Sequence, residues 1–523
     1  MARPVEARIV VHGTLTAQSA VHVGSGEEGF GTDLPLARDG RGELYVPGTN
    51  LAGVLRDWYR SAFGEADAKS VWGFQERDGG RESRGQASLV LVEDARVELL
   101  PGAHAAIRDG VGIDREWGAA ARHVKYDRAV LPAGSTLELR LALELLRGIP
   151  PDPLRAKLGH LLEALARGDI PLGAARTRGL GRVRLDRDRL SVREQRLSDR
   201  DGVLALLRAR RPSEAGHDLA IQDLAKAADV TPRRAPSIDI EVVWEPLGPL
   251  MVKAGGEGLG IDALPYTEPG PAGLSLVLPG SSIKGALRSQ AERIVRTLLP
   301  DRPASRTPQP STQRFLDQLD VPLADWLFGA RRARGASGPR PGRGALSVAD
   351  CFATAPLDRE QWSAVLGAGT AEEARRALDL GGLHEWANAY HVAVDRWTGG
   401  AANALLFSVL EPHGVGWGPI KMRMELSRLP EKARQPAIAL LLLVLDDLAA
   451  GRVALGFGVN RGMGTVRVTR VALEVSDGAL LGLASGAIRL DLQGGVLSAL
   501  DRTTRQVIAG GWQRWIESEQ RRD

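Results

Sequence analysis

The chain carries two copies of one motif, a glycine-rich loop that contains an aspartate. The first copy occupies residues 24–35 and includes Asp33, and the second occupies residues 255–265 and includes Asp262. Each copy leads to a Pro-Gly pair and then to an arginine. A repeat of this length indicates two duplicated domains rather than a solenoid of short repeats.

Two later landmarks extend the repeat. The Asp-Arg pair at 114–115 recurs at 395–396, and the Gly-x-Gly turn at 179–181 recurs at 462–464. The separation between copies grows along the chain, so the second copy holds insertions, which loops accept at small entropic cost. The predicted divisions are a first domain at 1–190, a linker at 191–236, a second domain at 237–475 with insertions near 300–345, and a C-terminal helical tail at 476–523.

Composition limits the class of protein. The 523 residues are 43% hydrophobic, enough for two cores, and the single cysteine, Cys351, excludes an intrachain disulfide or a cysteine-rich zinc site. The N-terminus has no apolar signal core, and the apolar run at 438–445 is too short to span a membrane. We therefore expect a cytoplasmic protein with no membrane partner.

Arginine dominates the basic residues: only eight of the 68 are lysines. A GC-rich genome favours arginine codons and is the simplest explanation of the total number of arginines. Their position in glycine-rich turns, at 176–179 and 460–462, is more informative, because a planar guanidinium can hold a phosphate through two hydrogen bonds.

The hydrophobic pattern predicts an α+β fold. Alternating residues at 7–23 predict a strand entering the first loop, and apolar residues at helical spacing predict a helix at 50–63. The second half repeats this order with a strand at 238–243 and a helix at 282–299. Helices beside a mostly antiparallel sheet predict two tandem modified ferredoxin-like (RRM-like) domains with insertions.

Several familiar sites are excluded by context. The glycines at 24–29 match a dinucleotide fingerprint by letters, but a strand follows them where a helix is required. His384 and His391 are seven residues apart, whereas a zinc helix requires four. The chain has neither a phosphate-binding P-loop nor a nucleophile elbow.

The loop aspartates allow two interpretations. An aspartate in a glycine-rich loop commonly forms a turn without any chemistry. Asp33 and Asp262 could instead bind a divalent cation or position a ribose 2′-hydroxyl. Recurrence favours the second interpretation, although common descent would also preserve both residues.

The helix starts behind the Pro-Gly pairs could bind an anion through backbone N–H groups, hydroxyls and basic side chains. The second copy has Lys284 in this helix start, and the first copy has Ala52 in the same place. The first copy should therefore bind an anion more weakly. Each Asp-Arg segment, at 112–126 and 394–402, predicts a projecting hairpin with an arginine at its base, or else an ion pair that holds a loop.

The ordered landmarks resemble the RAMP superfamily, specifically the guide-RNA-binding backbone subunit of type III CRISPR effector complexes. They are the loops with Asp33 and Asp262, the Pro-Gly helix starts, the two Asp-Arg segments and the Gly-x-Gly turns. The resemblance covers both repeats but not the linker, insertions or tail. Two fused copies are similar to the multi-domain backbone proteins of the type III-D branch.

The resemblance implies a subunit that binds CRISPR guide RNA, complementary target RNA and other effector subunits, with hairpins that interrupt the guide-target duplex. It implies that Asp33 and Asp262 bind a divalent metal, Mg²⁺, and cleave the target RNA. The candidate RNA contacts are Thr49, Arg56, Arg115, Arg122, His123, Lys125, Arg178, Ser281, Ser282, Lys284, Arg288, Arg396 and Arg461.

The two copies should bind RNA with different strength. The first copy has an Arg-His-Val-Lys segment at 122–125, and the second copy lacks it. Two other functions stay open. The chain could be a scaffold that holds guide RNA while another protein cuts, or an endoribonuclease that processes precursor guide RNA. The latter is disfavoured because no histidine recurs at equivalent places for acid-base catalysis.

Overall fold

The computed structural model describes residues 3–26, 31–75, 85–209, 215–256, 258–270, 273–299, 315, 317–330, 342–478, 485–491 and 495–521. Parts of both glycine-rich loops (27–30 and 257) and most of the predicted insertions (300–314, 316 and 331–341) lie outside the described residues. The chain forms two compact units. Unit 1 comprises Met1–Ala106, Ala129–Arg176 and Leu180–Ala235, and unit 2 comprises Ile107–Arg128, Thr177–Gly179 and Pro236–Asp523.

The first half of the chain contains twelve described strands and five described helices. The strands are β1 Val5–Ala17, β2 Tyr45–Val46, β3 Phe74–Gln75, β4 Gly85–Gln86, β5 Val90–Val92, β6 Ala95–Glu98, β7 Ala106–Ile113, β8 Ala120–Val130, β9 Thr136–Leu146, β10 Val183–Leu185, β11 Ser191–Arg196 and β12 His217–Asp218. The helices are α1 Gly48–Phe63, α2 Glu65–Trp72, α3 Pro151–Arg167, α4 Arg200–Arg208 and α5 Ile221–Ala225.

The sheet of unit 1 is antiparallel and centred on β1, which lies between β9 on one side and β10 and β11 on the other. Strands β5 and β6 pair with the far edge of β9. Every second residue of β1 is buried, as in Ile9, Val11 and Leu15, because successive side chains of a strand point to opposite faces. Leucines of α3 cover that face. The strand order matches a ferredoxin-like unit.

The second half contains ten described strands and seven described helices. The strands are β13 Ser237–Pro246, β14 Thr267–Gly270, β15 Gly273–Leu278, β16 Leu346–Val348, β17 Cys351–Phe352, β18 Ala387–Val394, β19 Ala401–Glu411, β20 Ile420–Glu425, β21 Val466–Val475 and β22 Gly486–Asp491. The helices are α6 Gly280–Leu298, α7 Ala324–Phe328, α8 Arg359–Gly367, α9 Ala371–Leu380, α10 Glu431–Ala449, α11 Val496–Ala499 and α12 Arg502–Gln520.

Unit 2 repeats the same strand order. Strand β13 lies between β20 and β21, β16 pairs with β20, and β22 extends the sheet beyond β21. Alternate residues of β13, from Ile238 to Trp244, are buried. Helix α10 is apolar on nearly all sides because α12 packs on it, with Ile508 and Gly511 buried at the contact. The predicted α+β class with two ferredoxin-like domains is confirmed.

Two long hairpins project from the repeats: hairpin 1 is β7 with β8, and hairpin 2 is β18 with β19. The residues of hairpin 1 from Ile107 to Arg128 belong to unit 2, although the first repeat encodes them. The predicted first-domain boundary at residue 190 therefore does not follow the compact units.

The described residues of the predicted linker and tail include strands and helices that belong to a unit. Strand β11 pairs with β1 over six positions, so residues 191–196 complete the sheet of unit 1. Strand β22 and helix α12 complete unit 2, with Trp512 and Trp515 packed against its core. Among the described residues, no helix is both long enough and apolar enough to cross a membrane.

Two glycines of helix α6 differ in the space that surrounds them. A methyl group on Gly280 would collide with the carbonyl oxygen of Val348, whereas a methyl group on Gly285 would meet nothing within 4 Å. The same pair occurs in α1, where Gly48 faces the Val92 carbonyl oxygen and Gly53 is open. The first glycine of each Pro-Gly helix start is therefore required for packing.

We predict opposite effects from two alanine substitutions in α6. Gly280→Ala should lower the free energy of unfolding by about 1–3 kcal/mol, because the backbone of β16 blocks the new methyl group. Gly285→Ala should raise it by about 0.5–1 kcal/mol, because alanine loses less backbone entropy on folding. Urea unfolding measures both. Equal effects of the two substitutions would contradict the close approach.

Candidate functional site

The glycine-rich loop of the second repeat docks on the base of hairpin 2. The Ala263 amide donates to the Ser408 carbonyl oxygen, and the Ala263 carbonyl oxygen accepts from the Leu410 amide, both at 3.0 Å. The neighbouring Asp262 Oδ2 accepts hydrogen bonds from the Ser408 amide at 2.7 Å and the Ser408 hydroxyl at 3.1 Å. Ser408 is buried and Asp262 is exposed. The aspartate is therefore held in a defined position with its outer side open to solvent.

The first repeat docks its loop in the same register. The Leu34 carbonyl oxygen accepts from the Ala129 amide at 3.0 Å, which matches the Ala263 and Leu410 pair. Asp33 directly precedes Leu34, as Asp262 precedes Ala263, and it is also exposed. The two aspartates thus occupy equivalent places in their repeats.

Beside Asp262, an arginine lies over two aromatic rings. The Arg461 guanidinium is 5.2 Å from the ring centre of Phe407 and 4.9 Å from that of Phe457. Phe407 also stacks on His391, with ring centres 5.4 Å apart. Such cation–π contacts hold a guanidinium in place without neutralising it. Arg461 is exposed and can still reach a phosphate.

The first repeat contains the matching pair of residues. The Arg178 Nη1 donates to the Tyr126 hydroxyl at 3.1 Å, and the Arg128 guanidinium lies 5.6 Å from the Tyr126 ring centre. The offset that relates Asp114 to Asp395 also relates Tyr126 to Phe407. Sequence reasoning missed these two aromatic residues, although the repeat itself carried the signal.

Positive charge is concentrated around Arg178. Burial lowers the pKa of the Arg128 guanidinium; the nearby Tyr126 opposes this, while the charges of Arg178 and Arg108 add to the lowering. Adjacent like charges create a local positive potential that attracts phosphate. Exposed Arg178 is the member of this cluster best placed to meet an anion.

The Asp-Arg segments form the hairpin tips. Asp114 Oδ1 accepts from the amides of Glu116 and Trp117, and Asp395 Oδ1 accepts from the amides of Trp397 and Thr398. These aspartates are turn formers, as their backbone bonds show. Each tip carries an exposed tryptophan, with Trp117 72% and Trp397 96% exposed.

The two tip arginines differ in their surroundings. Arg115 donates to Glu292 at 2.6 Å and to the Ile113 carbonyl oxygen at 2.7 Å, and its side chain is only 15% exposed. Arg396 is exposed and makes no hydrogen bond or ion pair within the described ranges. Arg115 is therefore held by protein, contrary to its predicted role as an RNA contact.

The segment at 122–125 has a counterpart in hairpin 2. The two hairpins have equal strand lengths in β8 and β19, so residues 403–406 occupy the place of 122–125. The second repeat therefore has other residues in this place, Asn-Ala-Leu-Leu, and lacks the Arg-His-Val-Lys side chains themselves. Arg122 and His123 are exposed, and Lys125 lies 3.1 Å from Asp109.

The first amide of each helix start is already bound to a carboxylate. The Gly280 amide already donates to Asp350 Oδ1 at 2.7 Å, and the Gly48 amide donates to Asp94 Oδ1 at 2.7 Å. A carboxylate therefore occupies the place where a phosphate was expected. The remaining candidates differ in exposure: Thr49 and Ser281 are exposed, and Arg56 and Ser282 are half-buried.

Two basic residues of α6 have structural roles. Lys284 is 6% exposed and its Nζ donates to the Leu346 carbonyl oxygen at 2.6 Å. Burial, together with the charges of nearby arginines, of which Arg178 is the first, lowers the pKa of Lys284 to about 7. Arg288 donates to Glu292 at 2.5 Å and to the Gly329 carbonyl oxygen at 2.7 Å. Neither side chain presents its charge as the sequence predicted.

The loop aspartates can supply only part of a metal site. Within the part of the chain that the structure describes, no group of three or more histidine, cysteine, aspartate or glutamate residues could hold a metal ion. Asp262 uses Oδ2 for Ser408, and no hydrogen bond engages Oδ1 among the described residues. Magnesium is commonly bound by one or two carboxylates together with substrate phosphates and water. A single carboxylate per loop fits a cation of that kind.

Comparison with known proteins supports the duplication. The family model described as the RAMP superfamily matches residues 14–184 and residues 245–467, which together make up most of the chain. These two regions contain Asp33 and Asp262, both hairpins and both Gly-x-Gly turns. No curated protein matches the chain.

The tip arginines provide a matched test of the hairpin contacts. We predict that Arg115→Met lowers the free energy of unfolding by about 1–3 kcal/mol, because buried Glu292 loses a charged partner and keeps only Arg288. Arg396→Met should change it by less than about 0.5 kcal/mol, as for most exposed positions. Urea unfolding distinguishes the two. Equal losses would show that Arg396 has a protein partner in the isolated chain.

The lowered pKa of Lys284 predicts a pH dependence of stability. Between pH 7 and the ordinary lysine pKa of 10.5, the unfolded chain binds the proton that the folded chain has lost. The free energy of unfolding should therefore rise with pH above 7, by about 1 kcal/mol per pH unit. The Lys284→Met variant should lose this rise, whereas Lys421→Met, at an exposed lysine, should keep it. Urea unfolding at pH 7, 8 and 9 tests the difference.

Proposed function

Because the chain belongs to the RAMP superfamily of CRISPR-associated RNA-binding proteins, we propose that it is a backbone subunit of a type III RNA-guided effector complex. In this proposal it binds the guide RNA and cleaves complementary target RNA at two places, one at each loop aspartate. Asp33 and Asp262 each act with a divalent metal, Mg²⁺.

The observation that carries the proposal is the equivalent docking of the two loops. Each loop pairs with the base of its hairpin through one residue, Leu34 or Ala263, and presents an exposed aspartate immediately before it. Turn formation alone does not require a carboxylate to stay exposed at the same register in both copies. Two equivalent carboxylates would give two cuts in one bound RNA.

The arginine-aromatic pairs support RNA binding. Arg461 over Phe407, and Arg178 on Tyr126, present guanidinium groups that are fixed by protein contacts and remain exposed. Such groups bind phosphates without reading the sequence, and base pairing with the guide supplies the specificity.

The hairpins supply an apolar surface for bases. Val111 and Ile113 on hairpin 1, and the equivalent Val392 and Val394 on hairpin 2, are between 39% and 58% exposed. This face is uncovered in both hairpins. The exposed tryptophan at each tip can stack on an unpaired base, as aromatic side chains do in single-stranded RNA recognition. The hairpins can therefore interrupt a guide-target duplex.

The proposed reaction is attack of a ribose 2′-oxygen on the adjacent phosphorus. The 2′-hydroxyl gives its proton to water, the bond from phosphorus to the 5′-oxygen breaks, and the 5′-oxygen takes a proton from water. The products carry a cyclic phosphate and a 5′-hydroxyl. A metal bound at the loop would offset the charge of the phosphorane. Asp262 contributes a fixed position: Ser408 holds Oδ2 by two hydrogen bonds, which leaves Oδ1 as the oxygen for a metal or the RNA in this proposal.

The scaffold function has its own support in the structure. The two bonds from Ser408 give Asp262 a purely structural use, since they hold the loop to β19. A scaffold would bind guide RNA through the same arginines and leave cleavage to another protein. The two functions are separated by a substitution that keeps the loop in place but removes the negative charge.

We predict that Asp262→Asn removes one cleavage product while guide RNA binding stays unchanged. The asparagine carbonyl oxygen can still accept from Ser408, but it cannot replace an ionised carboxylate beside a metal. The rate at that position should fall at least about 100-fold. Asp33→Asn should remove the other product. The assay is cleavage of labelled complementary RNA by the reconstituted complex with magnesium.

Ser408→Ala is the matched control for loop position. It removes both bonds of the hydroxyl, which donates to Asp262 Oδ2 and accepts from the Asp262 amide, and it keeps the bond from the Ser408 amide. It should therefore slow cleavage less than Asp262→Asn does. If Asp33→Asn and Asp262→Asn both leave every product intact, the scaffold function is correct. If guide RNA does not co-purify with the wild-type chain, the backbone assignment itself fails.

A further inference from the structure

Hairpin 1 has a protein-covered face as well as its exposed face. Arg115 at the tip reaches Glu292 on α6, and the Arg115 amide donates to the Gln318 side chain at 2.9 Å. Along the strand, the Phe315 ring lies over Gly112, where a Cβ would be 2.5 Å from it. Val124 borders the same place, and a Cβ on Gly112 would be 3.1 Å from it. One helix carboxylate, Glu292, and a small apolar patch therefore cover this face.

No described residue takes the corresponding place over hairpin 2. Leu405 takes the place of half-buried Val124 and is 50% exposed, and Arg396 takes the place of Arg115 and is exposed. Ala393, in the place of Gly112, is also exposed. One hairpin thus has a partner for its arginine and its apolar strand residue, and the other has the same groups without one in the described chain.

A second copy of this chain does not fit the open face. In the first repeat, the helix position that corresponds to Glu292 is Arg60, so Arg396 of another copy would meet a like charge. The segment that supplies Phe315 and Gln318 has no counterpart there either, because α2 begins two residues after α1 ends. A neighbouring copy would therefore lack both the charge and the apolar contact.

We propose that the Arg396, Leu405 and Ala393 face of hairpin 2 binds a different protein subunit, one that presents a carboxylate on a helix beside a small apolar patch. The carboxylate would pair with Arg396, as Glu292 pairs with Arg115. Ala393 carries a methyl group where Gly112 carries none, so the residue opposite it must be smaller than the ring of Phe315. A protein is favoured over RNA because the corresponding face of hairpin 1 is covered by protein, through Glu292 and Phe315.

The test places a benzophenone side chain at position 405 of the full chain in the assembled ribonucleoprotein, and at position 124 in a second preparation. After irradiation, mass spectrometry identifies the linked peptides. Position 405 should link to a peptide of another protein that contains an aspartate or glutamate. Position 124 should link within this chain, to the segment around Phe315.

Charge reversal then tests the ion pair. Arg396→Glu should weaken binding of the linked subunit at least tenfold, and exchange of that subunit's carboxylate for arginine should restore it. Arg359→Glu, the same charge change at an exposed site on α8, should have no effect. A link from position 405 to RNA, to a second copy of this chain or to nothing would overturn the proposal, as would the absence of rescue. The inference rests on the proposed role as a complex subunit but not on cleavage, so Asp262→Asn and Arg396→Glu can fail independently.

Discussion

The buried charge network around Arg108 is the contact on which the arrangement of unit 2 depends. The Arg108 guanidinium donates to Glu268 on β14 at 2.5 Å and to Asp350 at 2.7 Å, and Asp350 in turn accepts from the first amide of α6. Tyr266 also donates to Glu268. Burial by itself lowers the pKa of Arg108, but the two carboxylates outweigh it and raise that pKa well above its ordinary value. Loss of one partner would leave a buried charge, at a cost of about 3–5 kcal/mol. The base of hairpin 1 is therefore fixed to the start of α6.

Hairpin 2 has Ala389 in the place of Arg108, so the duplicated copy cannot form this network. The backbones of the two hairpins are alike, because both have the same strand lengths and the same aspartate turn at the tip. The hairpins differ mainly in this side chain. The duplication has kept what both copies share, namely a docked loop with an exposed aspartate, an arginine on an aromatic ring and an uncovered apolar face. It has changed the face that contacts protein. The two copies thus share the geometry of the loop and the hairpin but differ in their protein contacts. This arrangement suits the proposed function, in which one reaction occurs at two places.

Several properties could be predicted from sequence because they depend on local pattern or on the repeat. The alternation in β1 and β13, and the helical spacing in α1 and α6, predict the elements within a few residues. The repeated aspartates, arginines and Gly-x-Gly turns predict the family. The roles of Lys284, Arg288 and Arg115 could not be predicted, because whether a basic side chain faces solvent or a buried acceptor depends on residues distant in sequence. The pairing of β11 with β1 could not be predicted for the same reason, because it is a long-range contact that composition does not reveal.

By itself, the amino-acid sequence determined that this protein is a duplicated α+β RAMP chain with an aspartate in each docked loop, since such motifs are written in order along the chain. The tertiary structure decided which of the basic residues remain exposed. It also decided that Ser408 holds Asp262 and that hairpin 1, encoded by the first repeat, belongs to unit 2. The physical reason is that burial, ion pairing and desolvation arise between residues hundreds of positions apart. Only the folded chain brings Arg108 to Asp350, or leaves Arg396 without a partner among the described residues.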